Sequence, residues 1–409
     1  MRSLALPLLA LVAAAACELS PYAGAGAPGD VPPQPALATP GVFIQTKRPE
    51  RLASWVERPR PAGEVGGCRA YLAGGQVLLW SSDPKTCEAQ RFDGVGFMPM
   101  SREGAPEGLA SWWAGVAADQ LVVYGHSAGV HRASRYDPVR DAWSDTATFE
   151  MGQAPVEVTA VSAGDKLLLW GGYDELPAGV VMPRYAKYDP LADEWRPMND
   201  VGMASPRYGH GVVWDSHHMF VFGGRSYDGE LLGDGGLYDE PSEGWEPVVV
   251  EGAPSPRSEP AIAWTGHIYV VVGGRDADGQ ALADGAIYCP EPCWKWEPLA
   301  SCEPGFDGAA PQEPQAVWTG EQVLLAQTAL PFRLARYHVD ADAWAPVTIP
   351  PSLEALDPVD LLWDWDEHGL WLWGHDEAGP ALWSYFPPFH VDPRQGHPGD
   401  NLAGNQVKP

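Results

Sequence analysis

The sequence predicts an all-β protein built from repeated units of four antiparallel strands. Three observations carry that expectation. The 409 residues include 46 Gly, 42 Pro and 19 Trp at 45% hydrophobic content, which suits many short strands and tight turns and suits long helices poorly. The stretch GGRSYDGELLGDGGLYDEPSEGW (Gly223 to Trp245) returns as GGRDADGQALADGAIYCPEPCWKW (Gly273 to Trp296). The runs that precede these glycines, MFVF and YVVV, are apolar without alternation, as in a strand covered on both faces.

The repeat extends along the chain. Its glycine position recurs at Gly125, Gly171, Gly223 and Gly273, in steps of 46, 52 and 50 residues. A further copy from Val323 has lost its glycines but keeps Tyr337 and Trp344, and weaker copies begin at Val77 and Leu370. The Tyr and Trp stand seven residues apart in most copies, at 136 and 143, 188 and 195, 238 and 245, 337 and 344. Each element has a physical role. HGVVWDSHHMFVF and PAIAWTGHIYVVV read as a first hairpin turning at Asp215–Ser216 and Thr265–Gly266. Paired glycines let the backbone leave the second strand at positive φ without a Cβ clash. The third strand ends at the Tyr, Asp-Pro breaks it, and the Trp strand forms the outer edge.

These residues resemble the kelch repeat: apolar run, Gly-Gly, Tyr, spaced Trp, about fifty residues per unit. The resemblance spans Gly41 to Phe389 and implies a seven-bladed β-propeller with one four-stranded antiparallel blade per repeat. The last copy, ending near Tyr385, has no Trp strand after it, whereas LASWVERP around Trp55 is a Trp strand with no Tyr strand before it. Trp55 is therefore expected to complete the seventh blade and latch the ring.

The ends of the chain read differently. MRSLALPLLALVAAAAC has one Arg, an apolar run from Leu4 to Ala16 and small residues before Cys17, the layout of a signal peptide over residues 1–16. Its end resembles a bacterial lipobox, which implies lipidation of Cys17; ordinary cleavage among the alanines is the alternative, since Ala14 stands where lipoboxes usually carry Leu. Residues 17–41 are rich in Pro, Ala and Gly and read as a tether. The propeller is expected over 42–389 and a disordered tail over 390–409. This places the protein in the bacterial cell envelope by a lipid anchor, or secreted, as a monomer that touches membrane through the N-terminal lipid alone.

The formal net charge of −28 excludes nucleic acid as a natural partner, because phosphate backbones recruit Lys and Arg. With Cys17 lipidated, five cysteines remain, and in an exported chain some should pair. In a four-stranded blade, Cys68 and Cys87 fall on one side and Cys289 and Cys293 share the opposite turn. The expected pairs are Cys68–Cys87 and Cys289–Cys293, with Cys302 left over.

Candidate chemistry is sparse. GHSAG at 125–129 fits the nucleophile elbow G-x-S-x-G, but a Tyr-Asp-Pro turn follows where a helix is required, so Ser127 reads as repeat. Asp276 and Asp278 make half a calcium loop without the later ligands or flanking helices. His217 and His218 are adjacent on a strand and point oppositely. Galactose oxidase shares the propeller resemblance and uses copper with Tyr and His ligands, yet no residue here matches its motifs. No cofactor or metal is expected.

Four residues before the repeat Tyr (Phe92 in the first copy) stand Glu88, Arg132, Arg184, Asp234, Asp284, Arg333 and Ala381 in turn. One reading is charge pairing between blades, Arg184 with Asp234 for example; the other is a charged ligand face. Arg207 and Arg257, each in Ser-Pro-Arg, and Arg225 and Arg275, each just after Gly-Gly, belong to that face. By the kelch resemblance its loops hold the partner. The expectation is a non-catalytic protein that binds a protein or glycan there. A propeller enzyme acting on a carbohydrate, of oxidase or mutarotase type, is the alternative, and a structural envelope component is a third.

Overall fold

The computed structural model describes residues 53–128, 130–148, 157–172, 184–364 and 369–387. The expected signal, lipidated Cys17, tether and tail lie outside these residues. Seven four-stranded antiparallel sheets form a seven-bladed β-propeller. In chain order the blades span Arg69–Pro99, Ser111–Asp145, Thr159–Pro197, Gly211–Pro247, Ala261–Leu299 and Pro314–Pro346. The seventh combines Asp357–Phe386 with the strand Ser54–Glu57.

The repeat signature maps directly onto this architecture. Second strands such as His218–Phe222 and Tyr269–Val272 are buried almost throughout, so both faces pack on neighbouring blades, as their unbroken apolar runs predict. Seven apolar clusters fill the seven blade interfaces. One joins Val270 and Val272 to Val323 and Leu325; another joins Leu79 and Phe92 to Trp371 and Trp373, closing the circle between the first and last blades. The repeat tyrosines Tyr136, Tyr188, Tyr238, Tyr288 and Tyr337 have 0% exposure.

In blades 2, 4, 5 and 6 the repeat Trp also ties its blade to the one before, whereas among the described residues the buried Trp195 indole of blade 3 makes no such bond. Where the tie forms, the indole N–H donates to a backbone carbonyl just beyond the preceding outer strand, for example Trp143 to Ser101 at 2.8 Å, Trp245 to Asn199 at 2.9 Å and Trp344 to Ala300 at 3.0 Å. A left-handed aspartate beside it reinforces the tie. Asp141, at φ +52°, accepts the Tyr136 hydroxyl at 2.6 Å and the Ser101 N–H at 2.8 Å. Asp342 does the same with Tyr337 at 2.9 Å and Ala300 at 3.0 Å. The Tyr, Asp and Trp of one repeat thus form a single clamp between blades.

Ring closure follows the expected route. Ser54–Glu57 pairs with the third strand of blade 7, with Trp55 opposite Tyr385. At the channel wall, Arg69 of blade 1 meets Asp360 of blade 7 at 2.6 Å, and Asp360 also accepts the Ala70 N–H at 2.7 Å. Two faces result. The hairpin face carries the tight turns between strands one and two and between three and four. The loop face carries the Gly-Gly exits and the crossings into the next blade. Among the described residues no helix is long and apolar enough to cross a membrane.

The disulfide Cys68–Cys87 forms as expected, with the Cα atoms 5.0 Å apart. Cys302 is buried, and burial pushes its thiol up to about 12. Cys289 ends the third strand of blade 5 and Cys293 lies in the following turn, its N–H donating to the Pro290 carbonyl at 2.9 Å.

Candidate functional site

The loop face of blades 3 to 5 is built by the two most regular repeats. Gly223 and Gly224 have φ +69° and +96°, and a Cβ on Gly224 would lie 2.7 Å from the Tyr208 carbonyl oxygen. Only glycine permits that approach. The Gly224 N–H donates to the Arg257 carbonyl at 2.8 Å, so the exit of blade 4 docks on the entry to blade 5. Gly172 makes the same bond to the Arg207 carbonyl at 3.0 Å.

Two of the predicted ligand-face arginines are architectural instead. Arg207 and Arg257 have 0% exposure. Arg207 Nη1 donates to the carbonyls of Gly223 and Asp234, both at 3.0 Å, and its Nε to the Ser205 carbonyl at 2.7 Å. Arg257 repeats the pattern on Gly273 at 3.1 Å and Asp284 at 3.0 Å. The reason is the turn chemistry: leaving the strand through Gly-Gly directs carbonyl groups inward, and a buried guanidinium satisfies them. Asp234 and Asp284 complete these sites, at 3.0 Å and 3.2 Å from the respective Nη1 atoms. The described ion pair of Asp234 is within its own blade, with Arg207; the between-blade pairing with Arg184 falls on a side chain outside the described residues.

Arg225 and Arg275 do line the face. Both are partly exposed. Each bridges its own loop, Nη1 donating to the carbonyl of Gly229 or Gly279 at 3.1 Å. Arg275 Nε also lies 3.4 Å from Glu259 Oε2 and its Nη1 3.4 Å from Gln312 Oε1. Arg225 reaches the Asp276 carbonyl at 3.5 Å, and among the described residues no carboxylate stands within ion-pair distance of it. Of the other candidates, Arg132 is exposed on the third strand of blade 2. Arg333 is engaged by Asp307 at 3.3 Å and Glu354 at 3.8 Å. Arg184 begins the third strand of blade 3, but its side chain lies outside the described residues.

Several neighbours of the arginines escaped sequence reasoning. Glu157, Gly209, Glu259 and Glu313 occupy one position of the repeat, all with left-handed backbone. A Cβ on Gly209 would lie 3.9 Å from both Glu157 Oε2 and Glu259 Cγ, so these two side chains converge at the loop-face entry of the first strands. Tyr227 donates to the Gly172 carbonyl at 3.0 Å. The signal was present only in the alignment of the entry loops, where Glu recurs just before the first strand. His210 sits deeper, 3.3 Å from Thr159 Oγ1 and edge-on to Trp170. Burial, helped by the Arg207 charge, pulls its pKa down to about 3, so the ring is neutral at pH 7.

The remaining motifs resolve as structure. Ser127 pairs with Val130 in a tight hairpin, without the helix that an elbow needs. Asp276 Oδ1 accepts the N–H groups of Asp278 and Gln280 at 2.9 and 2.8 Å, an Asx turn within its own loop. On the hairpin face, Asp215 accepts from His218 Nδ1 at 3.0 Å and from the Tyr269 hydroxyl. Burial alone would raise the Asp215 pKa, but these bonds and those from the backbone of His217 and His218 hold it below 3.8. Among the described residues no group of three or more His, Cys, Asp or Glu side chains could hold a metal ion.

Comparison with known proteins agrees with the architecture. Residues 157–325 match the family model described as the KLHDC2/KLHL20/DRC7 Kelch-repeats domain. Among curated proteins no relative matches the chain. The solved chain titled "Structure of YjhT" is 14% identical, with a TM-score of 0.48, over 68% of this chain and 94% of its own. The chain is thus a seven-bladed β-propeller whose residues 157–325 match a kelch-repeat model.

Proposed function

We propose that the protein is a non-catalytic binding or scaffold protein of the bacterial cell envelope, recognising a protein or glycan through the loop face of blades 3 to 5. The observation that carries this reading is the pair Arg225 and Arg275. They occupy equivalent positions on adjacent blades, are partly exposed, and are pre-set by bonds to Gly229 and Gly279. A guanidinium offers five donors in a fixed fork, so each keeps donor capacity for carboxylate, hydroxyl or amide oxygens after making these bonds. Tyr208 and Tyr227 beside them supply amphipathic rings of the kind enriched at recognition surfaces. Rigid positioning suits binding, since little ordering entropy remains to be lost on association. The envelope location rests on the signal sequence and on Cys17 as a lipidation site.

The test uses the full chain on a glycan array and as bait for envelope proteins. Arg225→Ala and Arg275→Ala, singly and together, should abolish capture while leaving the melting temperature nearly unchanged. Undiminished capture by the double variant, or a wild-type chain that retains neither a glycan nor a protein, overturns the reading.

A further inference from the structure

The hairpin face has an apolar arc of its own. The turns between third and fourth strands of blades 1, 2 and 3 carry Val95, Val139 and Leu191 at their tips, exposed by 83%, 81% and 83%. Isolated exposed aliphatics are ordinary on a protein surface. Here the same turn position is aliphatic in three consecutive blades, and the same device presents it. Asp93, Asp137 and Asp189 each accept, through Oδ1, the N–H of the aliphatic residue two positions on, all at 2.9 Å.

The tips are also fixed to their neighbours. Arg91 of blade 1 donates to the Pro138 carbonyl at 3.1 Å, and Arg135 of blade 2 to the Pro190 carbonyl at 2.7 Å. In blades 4 and 6 the corresponding position carries Pro241 and Asp340. Among the described residues, the exposed aliphatic tips of the turns between third and fourth strands are thus confined to one arc.

The path of the chain says what lies beneath that arc. Third strands run from the loop face to the hairpin face, and Phe386 ends the third strand of blade 7. Ser54 stands opposite Phe386 in the register of the closing strand. The closing strand therefore begins, at Ser54, on the hairpin face of the blade that adjoins blade 1.

We propose that the hairpin face of blades 1 to 3 rests on a lipid bilayer, with Val95, Val139 and Leu191 seated among the headgroups and the loop face turned away from the membrane. The proposal rests on the reading of Cys17 as lipidated. An acyl chain anchors more firmly when a second signal accompanies it, and rigid aliphatic tips supply one. With a net charge of −28, the surface that suits this protein is zwitterionic, since anionic lipid would repel it.

The experiment reconstitutes the full chain, as purified from its envelope, in phosphatidylcholine vesicles and compares hydroxyl-radical labelling with that of the Cys17→Ser chain in solution. Leu330, 56% exposed in the loop after the second strand of blade 6, is the loop-face control. On vesicles, labelling of Val95, Val139 and Leu191 should fall by about threefold or more, as burial at the acyl boundary requires, while Leu330 is unchanged. The V95S/V139S/L191S chain, still acylated, should move between vesicle populations about tenfold faster than wild type. Mass spectrometry of the N-terminal peptide reports the anchor separately. An acylated chain whose tips label equally on vesicles and in solution overturns the docking while leaving the anchor in place. An unacylated wild-type peptide, protection of Leu330 instead of the tips, or protection that needs membrane proteins in addition to lipid also overturns it.

Discussion

The indole N–H of Trp55 donates to the Thr348 carbonyl at 3.0 Å across 293 residues of sequence. The bond repeats, between the two ends of the chain, what Trp143, Trp245 and Trp344 do between consecutive repeats. Trp55 also packs on Tyr385 at 4.6 Å and edge-on to Phe332 at 6.4 Å. The seventh blade is therefore finished by a residue from the start of the propeller, and its contact with blade 6 uses the indole-to-carbonyl bond found in blades 2, 4, 5 and 6. Replacing Trp55 with Ala should destabilise the chain by about 3 kcal/mol in urea unfolding, because a large aromatic and its hydrogen bond are lost together. Trp55→Phe, which keeps most of the packing, should cost about 1 kcal/mol.

The Arg69–Asp360 pair closes the same ring at the channel wall. Asp360 is buried, and Arg69 reaches it with both Nε and Nη2. Asp360→Ala leaves a guanidinium without its carboxylate in a buried setting and should lower stability by about 3–5 kcal/mol. A double substitution to apolar residues of similar volume should recover much of that loss, since the desolvation cost vanishes with the charges.

Arg207 and Arg225 make opposite predictions although both were expected on the ligand face. Arg207→Ala strands the carbonyls of Gly223 and Asp234 inside blade 4 and should cost about 3 kcal/mol or more in chemical denaturation. Arg225→Ala, on the accessible side, should fall within about 0.5 kcal/mol of wild type, as surface substitutions generally do.

How much of this was legible in the sequence depends on whether a residue's role recurs. The glycine exits, the Tyr–Trp spacing and the homeless Trp strand at Trp55 were readable because each copy repeats the same physical problem. The disulfide was readable because blade order places Cys68 and Cys87 on one side. The burial of Arg207 and Arg257 was not read, since a residue in a connecting loop suggests exposure. The clue was there: each Arg precedes its Asp by 27 residues, Arg207 to Asp234 and Arg257 to Asp284. A charge repeated at fixed spacing serves the fold for the same reason that a repeated glycine does. The aspartate of the interblade clamp, Asp141, was hidden for a different reason. Its partner Ser101 is forty residues away, and only the closed ring brings the two together.

Histidine 210 gives the fold a pH dependence whose sign is fixed by burial. Its folded pKa is lowered to about 3 from 6.5, so the unfolded chain binds a proton that the native state refuses. Stability should accordingly be unaffected above pH 6.5 and should decline as pH falls from there toward 3, by up to about 1.4 kcal/mol per pH unit from this residue. His210→Gln removes the titrating group, and its plot of stability against pH should be flatter than wild type over that interval whatever its absolute stability. His218, raised by its bond to Asp215, acts at the other end: its contribution is complete below 6.5 and fades as pH climbs through the raised value.

The Cys68–Cys87 crosslink closes a loop of 19 residues at the entry to blade 1. Converting both cysteines to Ala should lower stability by about 3 kcal/mol through the freedom returned to the unfolded chain. Cys302, buried and with its thiol held up, should react with thiol reagents only after denaturation.

The central claim is that the N-terminal strand completes a closed ring. Calorimetry of the chain lacking residues 42–60 measures it most directly. Without Trp55 and its strand, blade 7 loses its outer edge and the indole bond onto blade 6, and the melting temperature should drop by about 10 °C or more. A melting transition at the wild-type temperature, with the wild-type enthalpy, would contradict the account.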